Sequence, residues 1–206
     1  MPHSSPHLRQ YYGINYPLAG HPVRRRLKRD HPATTLHGHK VWGSALLMMD
    51  WLSREPLPPG SRVVEVGCGW GLLSTYCAKQ QACEVTASDI DPAVRPYINA
   101  LAGLNDVELA WRQAEFADWD AALLSEIDVL IASDICFWDQ LAEPVWQLIN
   151  RGIDSGVSQI LITDPLRPPF IEVAEACIED FHAELLPLTI DTPRRHRGAL
   201  LRIENR

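Results

Sequence analysis

The sequence predicts an α/β fold, one domain plus an N-terminal extension, built on a seven-stranded, mostly parallel sheet with helices on both faces. Three observations predict it. Strand-like segments recur from Arg62 onward, at Arg62–Val66, Glu84–Ser88, Val107–Trp111, Ile127–Ser133, Val157–Thr163, His182–Ile190 and Gly198–Ile203. Helix-like segments fall between most of them, at Leu72–Gln80, Pro92–Ala102, Gln140–Asn150 and Phe170–Asp180. The first strand runs directly into a glycine cluster that opens the first helix. Strands alternating with helices make parallel pairings, and such open sheets take ligands at the carboxyl ends of their strands.

Residues 1–37 read as a basic, proline-interrupted arm, because Pro2, Pro6, Pro17, Pro22 and Pro32 leave no apolar period intact. The domain itself is expected over residues 38–206. Trp42, Ala45, Leu46, Met49 and Leu52 recur at spacings of three and four, the pattern of an amphipathic helix, which EPLPPG then ends. Arg62–Val66 is valine-rich and short, as a buried strand is. Asp91-Pro92 suits a helix start, with the aspartate as cap and the proline in the first turn. TPRRHR, between the last two strands, reads as an exposed hairpin turn.

Composition excludes several classes. With 46% hydrophobic and 22% charged residues, the chain of 206 is not mainly disordered. No apolar run is long enough to cross a bilayer, so no membrane partner is expected. The N-terminus has no apolar signal core. Five cysteines, an odd count at long spacings and without a CxxC pair, argue against a disulfide framework or a zinc cluster. A reduced cytoplasmic setting fits these features. Residues 1–40 carry seven basic side chains and one acid, whereas the remainder carries 12 basic and 25 acidic. An acidic body repels bulk nucleic acid, and the basic arm is either solvated or contacts an acidic partner.

The segment VVEVGCGWGLLS, Val63–Ser74, carries the sharpest signal. Gly67, Gly69 and Gly71 end a strand and open a helix, which lets a ligand lie on the main chain beside free amide donors. A dinucleotide fingerprint started at Gly67 needs a third glycine at position 72, which is Leu72. The spacing is GxGxG, with Glu65 two residues ahead of the first glycine. Asp89 ends the second strand 20 residues after Gly69, where a carboxylate can accept both hydroxyls of a ribose.

This pattern resembles motif I of the class I methyltransferases that use S-adenosyl-L-methionine, and through it the chain is similar to the methyltransferase-like protein lysine methyltransferases, the branch that modifies the electron-transfer flavoprotein β-subunit. Three further segments carry the narrower resemblance: HGHKVWGSALLMMDWL (His37–Leu52), ASDICF (Ala132–Phe137) and TDPLRPPF (Thr163–Phe170). The resemblance runs from His37 onward. It implies a Rossmann-like sheet, with S-adenosyl-L-methionine as cofactor and S-adenosyl-L-homocysteine as product. It places the cofactor against Trp42, Glu65, Gly67, Cys68, Gly69, Gly71, Asp89, Ile90, Trp111 and Ser133. The loop backbone would pack on the methionine part. Glu65 would act on the ammonium through loop or water contacts, or else be a strand-end carboxylate satisfied by loop amides. Trp111 would stack on the adenine, or else serve as a core tryptophan. Trp42 would help to cover the cofactor, or else anchor its helix in the core.

The resemblance also assigns the catalytic pair, Asp134 and Phe137. In-line transfer from a sulfonium needs a neutral amine held in position, because the attacking nitrogen gains the charge that the sulfur loses. Asp134 would orient that amine and stabilise its developing charge, unless it caps the following helix. Phe137 would wall the slot and meet the cationic product through its ring face, or else serve only in packing. It stands where the branch commonly has tyrosine, and Ala132-Ser133 stands where the branch often has glycine and alanine. Asp164 and Arg167, after the fifth strand at the ligand face, either pair with each other as a structural pair or engage the substrate. His37 and His39 lack a third ligand, so no metal is expected. Trp70 has no assigned role. The implied activity is transfer of methyl to a lysine of a protein substrate. Alternatives are a small-molecule amine acceptor, or a non-catalytic module that holds the cofactor and binds a partner. A nucleic-acid acceptor is disfavoured, because Asp134-Ile135-Cys136-Phe137 is not an N/D-P-P-Y/F element. The sequence implies no particular oligomeric state.

Overall fold

A computed structural model describes residues 7–31 and 41–205. Residues 7–31 of the expected arm are not irregular. Leu8–Tyr11 (β1) and Ile14–Pro17 (β2) pair as an antiparallel hairpin. Its two turn residues, Tyr12 and Gly13, both have positive φ, as a tight two-residue hairpin turn requires. Pro22–Asp30 (α1) follows, with Pro22 in the first turn and His21 Nδ1 accepting the Val23 N–H as a cap. Of the five prolines, Pro17 sits at a strand end and Pro22 at a helix start, where no ladder or helix bond is lost, while Pro2, Pro6 and Pro32 lie outside the described residues. Tyr11, Ile14, Tyr16 and Leu27 are buried in the main core. Asn105 ties the hairpin down with two bonds: its Oδ1 accepts the Asn15 N–H at 2.8 Å, and its Nδ2 donates to the Asn15 carbonyl at 2.9 Å.

Gly43–Leu52 (α2) is not amphipathic. Every residue from Ser44 to Leu52 except Asp50 is buried, because α2 is wedged against the sheet under the hairpin side of the core. The alternating part of the chain follows expectation closely. Arg62–Val66 (β3), Leu72–Gln80 (α3), Glu84–Asp89 (β4), a short 3₁₀ turn at Pro92–Val94, and Arg95–Leu104 (α4) come first. Ala110–Gln113 (β5), Ala121–Leu124 (α5), Val129–Ser133 (β6), Ala142–Asp154 (α6), Gln159–Asp164 (β7) and Pro168–Asp180 (α7) continue the pattern. Ala183–Ile190 (β8) and His196–Glu204 (β9) close it as a hairpin whose turn is exposed. The described residues of the arm thus pack into the domain that was expected to begin at residue 38.

The sheet runs β5-β4-β3-β6-β7-β9-β8, parallel from β5 to β7 and antiparallel through β9 and β8. Both faces are covered, as the strand interiors record. Val63, Val129, Ile131, Leu161 and Leu200 face α2, α3 and the hairpin, whereas Val64, Leu130, Ala132, Ile160 and Leu201 face α6 and α7. The order of strand addition reverses between β3 and β6, from β3-β4-β5 on one side to β6-β7 on the other, which opens a crevice at their carboxyl ends. At the far side of that crevice β9 passes very close to β7. A Cβ on Gly198 would lie 2.3 Å from the Asp164 carbonyl oxygen, so only glycine allows this approach. All five cysteines are buried and free. Among the described residues, no helix is long and apolar enough to cross a membrane.

Candidate active site

The crevice holds a cavity of about 520 Å³ at the ends of β3, β4 and β6. Its floor is the glycine loop. Gly67, Gly69 and Gly71 all have left-handed φ, of 68°, 52° and 74°. A side chain at Gly67 would also strike Ile135, 2.8 Å from the Cβ position. Two acids brace this loop. The Asp89 Oδ2 accepts the Gly69 N–H and its Oδ1 accepts the Asp91 N–H, both at 2.9 Å. Asp91 caps the turn at Pro92–Val94 by accepting the Ala93 N–H, which leaves Asp89 as the acid on the cavity wall. The Glu65 Oε2 accepts the Ser74 N–H at 2.7 Å and also the Ser74 hydroxyl, so it satisfies the first turn of α3. Burial lifts the Glu65 carboxyl to about 8, against the pull of the Ser74 bonds. Burial raises Asp89 as well, opposed by its backbone bonds.

Beyond β6 the chain brings together residues far apart in sequence. Asp134 adopts a φ of 56°, and its amide donates to the Thr163 carbonyl at 2.9 Å. Its Oδ2 accepts the Ser44 N–H at 3.3 Å, in the first turn of α2, where the helix dipole favours a negative charge. Its Oδ1 accepts from Arg167 Nη1 at 2.8 Å, and the same nitrogen donates to Asp164 Oδ2 at 2.7 Å. The Arg167 guanidinium lies 4.5 Å from the Phe137 ring centroid, and Phe137 meets Trp42 edge to face at 5.1 Å. Asp134 therefore does not cap the next helical turn, which starts at Asp139 behind Trp138. Arg167 is also more than half of a local pair, because it joins two buried carboxylates under an aromatic ring. Burial lifts Asp164 to about 6 despite the Arg167 bonds.

Trp42, Glu65, Gly67, Cys68, Gly69, Asp89, Ile90, Ser133, Asp134 and Phe137 all line the cavity, while Gly71 sits just behind as the first-turn cap of α3. Trp111 does not line it. The third strand of the sequence pattern starts and ends later than expected, at Ala110–Gln113, which moves Trp111 from the strand end to its middle. There it packs with Leu109 against Cys68, Ala87, Val94 and Ile98. The cavity wall after β5 is Ala114–Ala117, with Phe116 the aromatic there. Arg151 holds that wall by donating to the Phe116 carbonyl at 2.7 Å and the Trp119 carbonyl at 3.1 Å. Phe116 was within reach of the sequence, as the first aromatic after the strand. Tyr16 also lines the cavity but carries no such local signal, because the hairpin that delivers it has strands of only four residues. Trp70 stacks on Tyr97 at 4.4 Å and on Tyr16 at 6.2 Å, so it docks the hairpin onto the glycine loop. His37 and His39 lie outside the described residues.

Comparison with known proteins shows which fold carries this arrangement. A family described as "Methyltransferase domain" matches residues 63–156. The solved ribosomal protein L11 methylase from Lactobacillus delbrueckii subsp. bulgaricus superposes with a TM-score of 0.56 at 24% identity, covering 78% of each chain. TrmK from M. capricolum, solved with S-adenosyl-homocysteine, superposes with a TM-score of 0.57 at 9% identity, over 77% of this chain and 67% of that one. The fold is that of a class I S-adenosylmethionine-dependent methyltransferase. Among curated proteins, the chain is 38% identical to the ribosomal protein L11 methyltransferase of Symbiobacterium thermophilum over 98 residues, 48% of this chain and 31% of that protein. It is 26% identical to the electron transfer flavoprotein beta subunit lysine methyltransferase of Xenopus laevis over 155 residues, 69% of this chain and 59% of that protein. The chain thus spans less than two thirds of either relative. The cofactor of this methyltransferase fold is S-adenosyl-L-methionine, with S-adenosyl-L-homocysteine as its product. The residues present fit it: a left-handed glycine cradle that a Cβ at Gly67 would obstruct, a carboxylate at the end of β4, and a largely apolar cavity of sufficient size.

Proposed function

We propose that this chain is an N-methyltransferase that modifies a lysine side chain of a protein. The observation that carries the reading is that one cavity joins the glycine cradle on one side to Asp134, Phe137 and Trp42 on the other. The two kinds of curated relative, named for a ribosomal protein and for a flavoprotein lysine, support a protein acceptor.

The bound cofactor supplies a methyl group on a positively charged sulfur. The chain supplies position and charge. Gly67, Gly69 and Gly71 hold the methionine end against bare backbone, Asp89 takes the ribose hydroxyls, and Ile90 and Ser133 border the space between. Glu65 supports the ammonium by fixing the start of α3 and by its own charge when ionised. Phe137 and Trp42 wall a slot for the lysine stem. Asp134 accepts a hydrogen bond from the entering amine and stabilises the charge it gains. Arg167 keeps that carboxylate fixed, and together with Asp164 the group bears one net negative charge when both acids are ionised. That charge draws a cationic side chain to the slot, and water can take its proton before transfer.

The test is incubation of the purified protein with methyl-labelled S-adenosyl-L-methionine and a cell lysate, followed by mass spectrometry of tryptic peptides. Label on lysines of one or a few proteins is the expected result. Label confined to the low-mass fraction would replace the protein acceptor with a small amine.

A further inference from the structure

Four large apolar side chains stand exposed among the described residues: Ile90, Trp138, Leu166 and Ile178. Exposed apolar residues scattered singly need no explanation, but these are not scattered. Ile90, beside Asp89, and Trp138 both line the cavity. Trp138 and Leu166 are the chain neighbours of Phe137 and Arg167, whose ring and guanidinium lie 4.5 Å apart at the acceptor end. Helix α7, which Arg167 opens, also packs against the 3₁₀ turn at Asp139–Leu141, which Trp138 opens. Trp138 is 58% exposed, yet its place is fixed. Its carbonyl accepts the Leu141 N–H at 2.9 Å, and its ring tilts against Phe137 at 6.3 Å. The indole thus rests on the wall of the slot and leaves most of a flat apolar surface open. Leu166 has a φ of 71°, after Pro165, in a turn where the Arg167 N–H donates to Asp164 Oδ1 at 2.8 Å. A proline followed by a residue of positive φ ordinarily has glycine or asparagine in that second place. Leucine there combines backbone strain with an exposed side chain, and glycine would avoid both. Leu166 stands outside the cavity, so a cofactor and a lysine stem within it leave that side chain uncovered. Only a larger acceptor reaches it.

Resting on the protein-lysine reading above, we propose that Trp138 and Leu166 determine acceptor specificity, by receiving apolar side chains next to the target lysine in an extended segment of the protein substrate. Recognition then divides in two. The Asp134–Arg167–Asp164 group draws the cationic lysine into the slot by charge, whereas the rim holds the flanking chain by apolar contact. A tryptophan suits that task, because it offers a large rigid surface that loses little conformational freedom on contact.

Methyl transfer into lysate proteins, followed over a series of lysate concentrations, tests this on the full chain with Trp138→Ala, Trp138→Phe and Leu166→Gly. In dilute lysate, Trp138→Ala and Leu166→Gly should each incorporate about tenfold less label than wild type. The gap should close to within about threefold as the lysate is concentrated, the mark of lost acceptor binding. Trp138→Phe should stay within about threefold throughout, because it keeps an aromatic face. Affinity for S-adenosyl-L-homocysteine, by calorimetry, should stay within about twofold in all three. Leu166→Gly should melt at or above wild type, which separates its loss of transfer from a loosened fold. Lysines labelled by wild type should carry an apolar residue within about two positions, the reach of an extended segment. Labelled lysines without such neighbours, unchanged incorporation in Trp138→Ala or Leu166→Gly, or a loss equal at every lysate concentration overturns the rim and leaves the protein acceptor in place. A matching fall in S-adenosyl-L-homocysteine affinity would give Trp138 to the cofactor and overturn it likewise. Label confined to the low-mass fraction overturns the rim and the protein acceptor together.

Discussion

Arg167 Nη1 lies 2.8 Å from Asp134 Oδ1, so the acid proposed for the methyl-accepting end of the cavity is clamped by a cation from the loop between β7 and α7. Asp134 is 4% exposed and Asp164 is 1% exposed, and the same guanidinium nitrogen serves both. Sharing one cation keeps two buried carboxylates tolerable and fixes the rotamer of Asp134, because a buried charge without a partner is strongly unfavourable. The Phe137 ring over the guanidinium closes the cluster on the cavity side.

Asp134→Asn keeps the shape of this cluster and removes the charge. Methyl transfer should fall by about 10²–10³-fold, the range for loss of one group that stabilises charge developing in the transition state. Affinity for S-adenosyl-L-homocysteine, measured by calorimetry, should stay within about twofold, because the glycine loop and Asp89 are untouched. Equal loss of cofactor binding would show that Asp134 serves the cofactor and not the acceptor.

Gly198 supplies a structural test of the same cluster. Its missing side chain lets β9 pass the Asp164 carbonyl, so Gly198→Ala must push β7 and β9 apart where Asp164 leads to Arg167. The expected loss is about 1–3 kcal/mol in urea unfolding, with a fall in methyl transfer. Gly103, inside α4 with nothing near its Cβ position, is the control. There the alanine variant should gain roughly 0.5–1 kcal/mol by helix propensity.

Most of the sheet and the floor of the site could be read from sequence because their signals are local. Val63, Val64 and Val66 followed by Gly67, Gly69 and Gly71 state a buried strand, a left-handed loop and a helix start within a dozen residues. What stayed hidden depends on contacts across the chain. Asp164 and Arg167 are three residues apart and read as a pair, but Asp134 joins them only through the pairing of β6 with β7. The hairpin is too short for periodicity to show, and its Tyr12-Gly13 turn is outweighed by five prolines in the surrounding segment. The helix at Gly43–Leu52 contains apolar residues at all positions but a few, so a stripe could be drawn through it although it is buried all round.

Glu65 gives a pH dependence with a definite sign. Folding raises its carboxyl from 4.5 to about 8, so the folded state favours the protonated acid. Its contribution to stability is fully present below 4.5 and is lost as pH rises through about 8. Glu65→Gln stays neutral, so its melting temperature should rise relative to wild type across that window and hold a constant lead above it. Affinity for S-adenosyl-L-homocysteine should fall relative to wild type only as pH rises through about 8, where wild-type Glu65 gains the charge that faces the ammonium and the glutamine does not. Melting curves for both proteins at a series of pH values are the check. Parallel curves would mean that Glu65 is ionised in the unliganded fold.

Phe116 and Trp111 separate adenine recognition from packing. Phe116 lines the cavity beyond β5 and is held there by Arg151, so its ring is the aromatic surface available to the base. Trp111 packs against Ala87, Val94 and Ile98 with Cys68, away from the cavity. Phe116→Ala should weaken S-adenosyl-L-homocysteine by roughly tenfold, about 1.4 kcal/mol, with a small change in melting temperature. Trp111→Ala should do the reverse, lowering stability by about 1–3 kcal/mol while cofactor affinity stays within about twofold. Calorimetry and urea unfolding on the same two variants give both readings. If Trp111→Ala instead lost affinity without losing stability, the base would lie on the other side of β5, and the wall at Ala114–Ala117 would not be its seat.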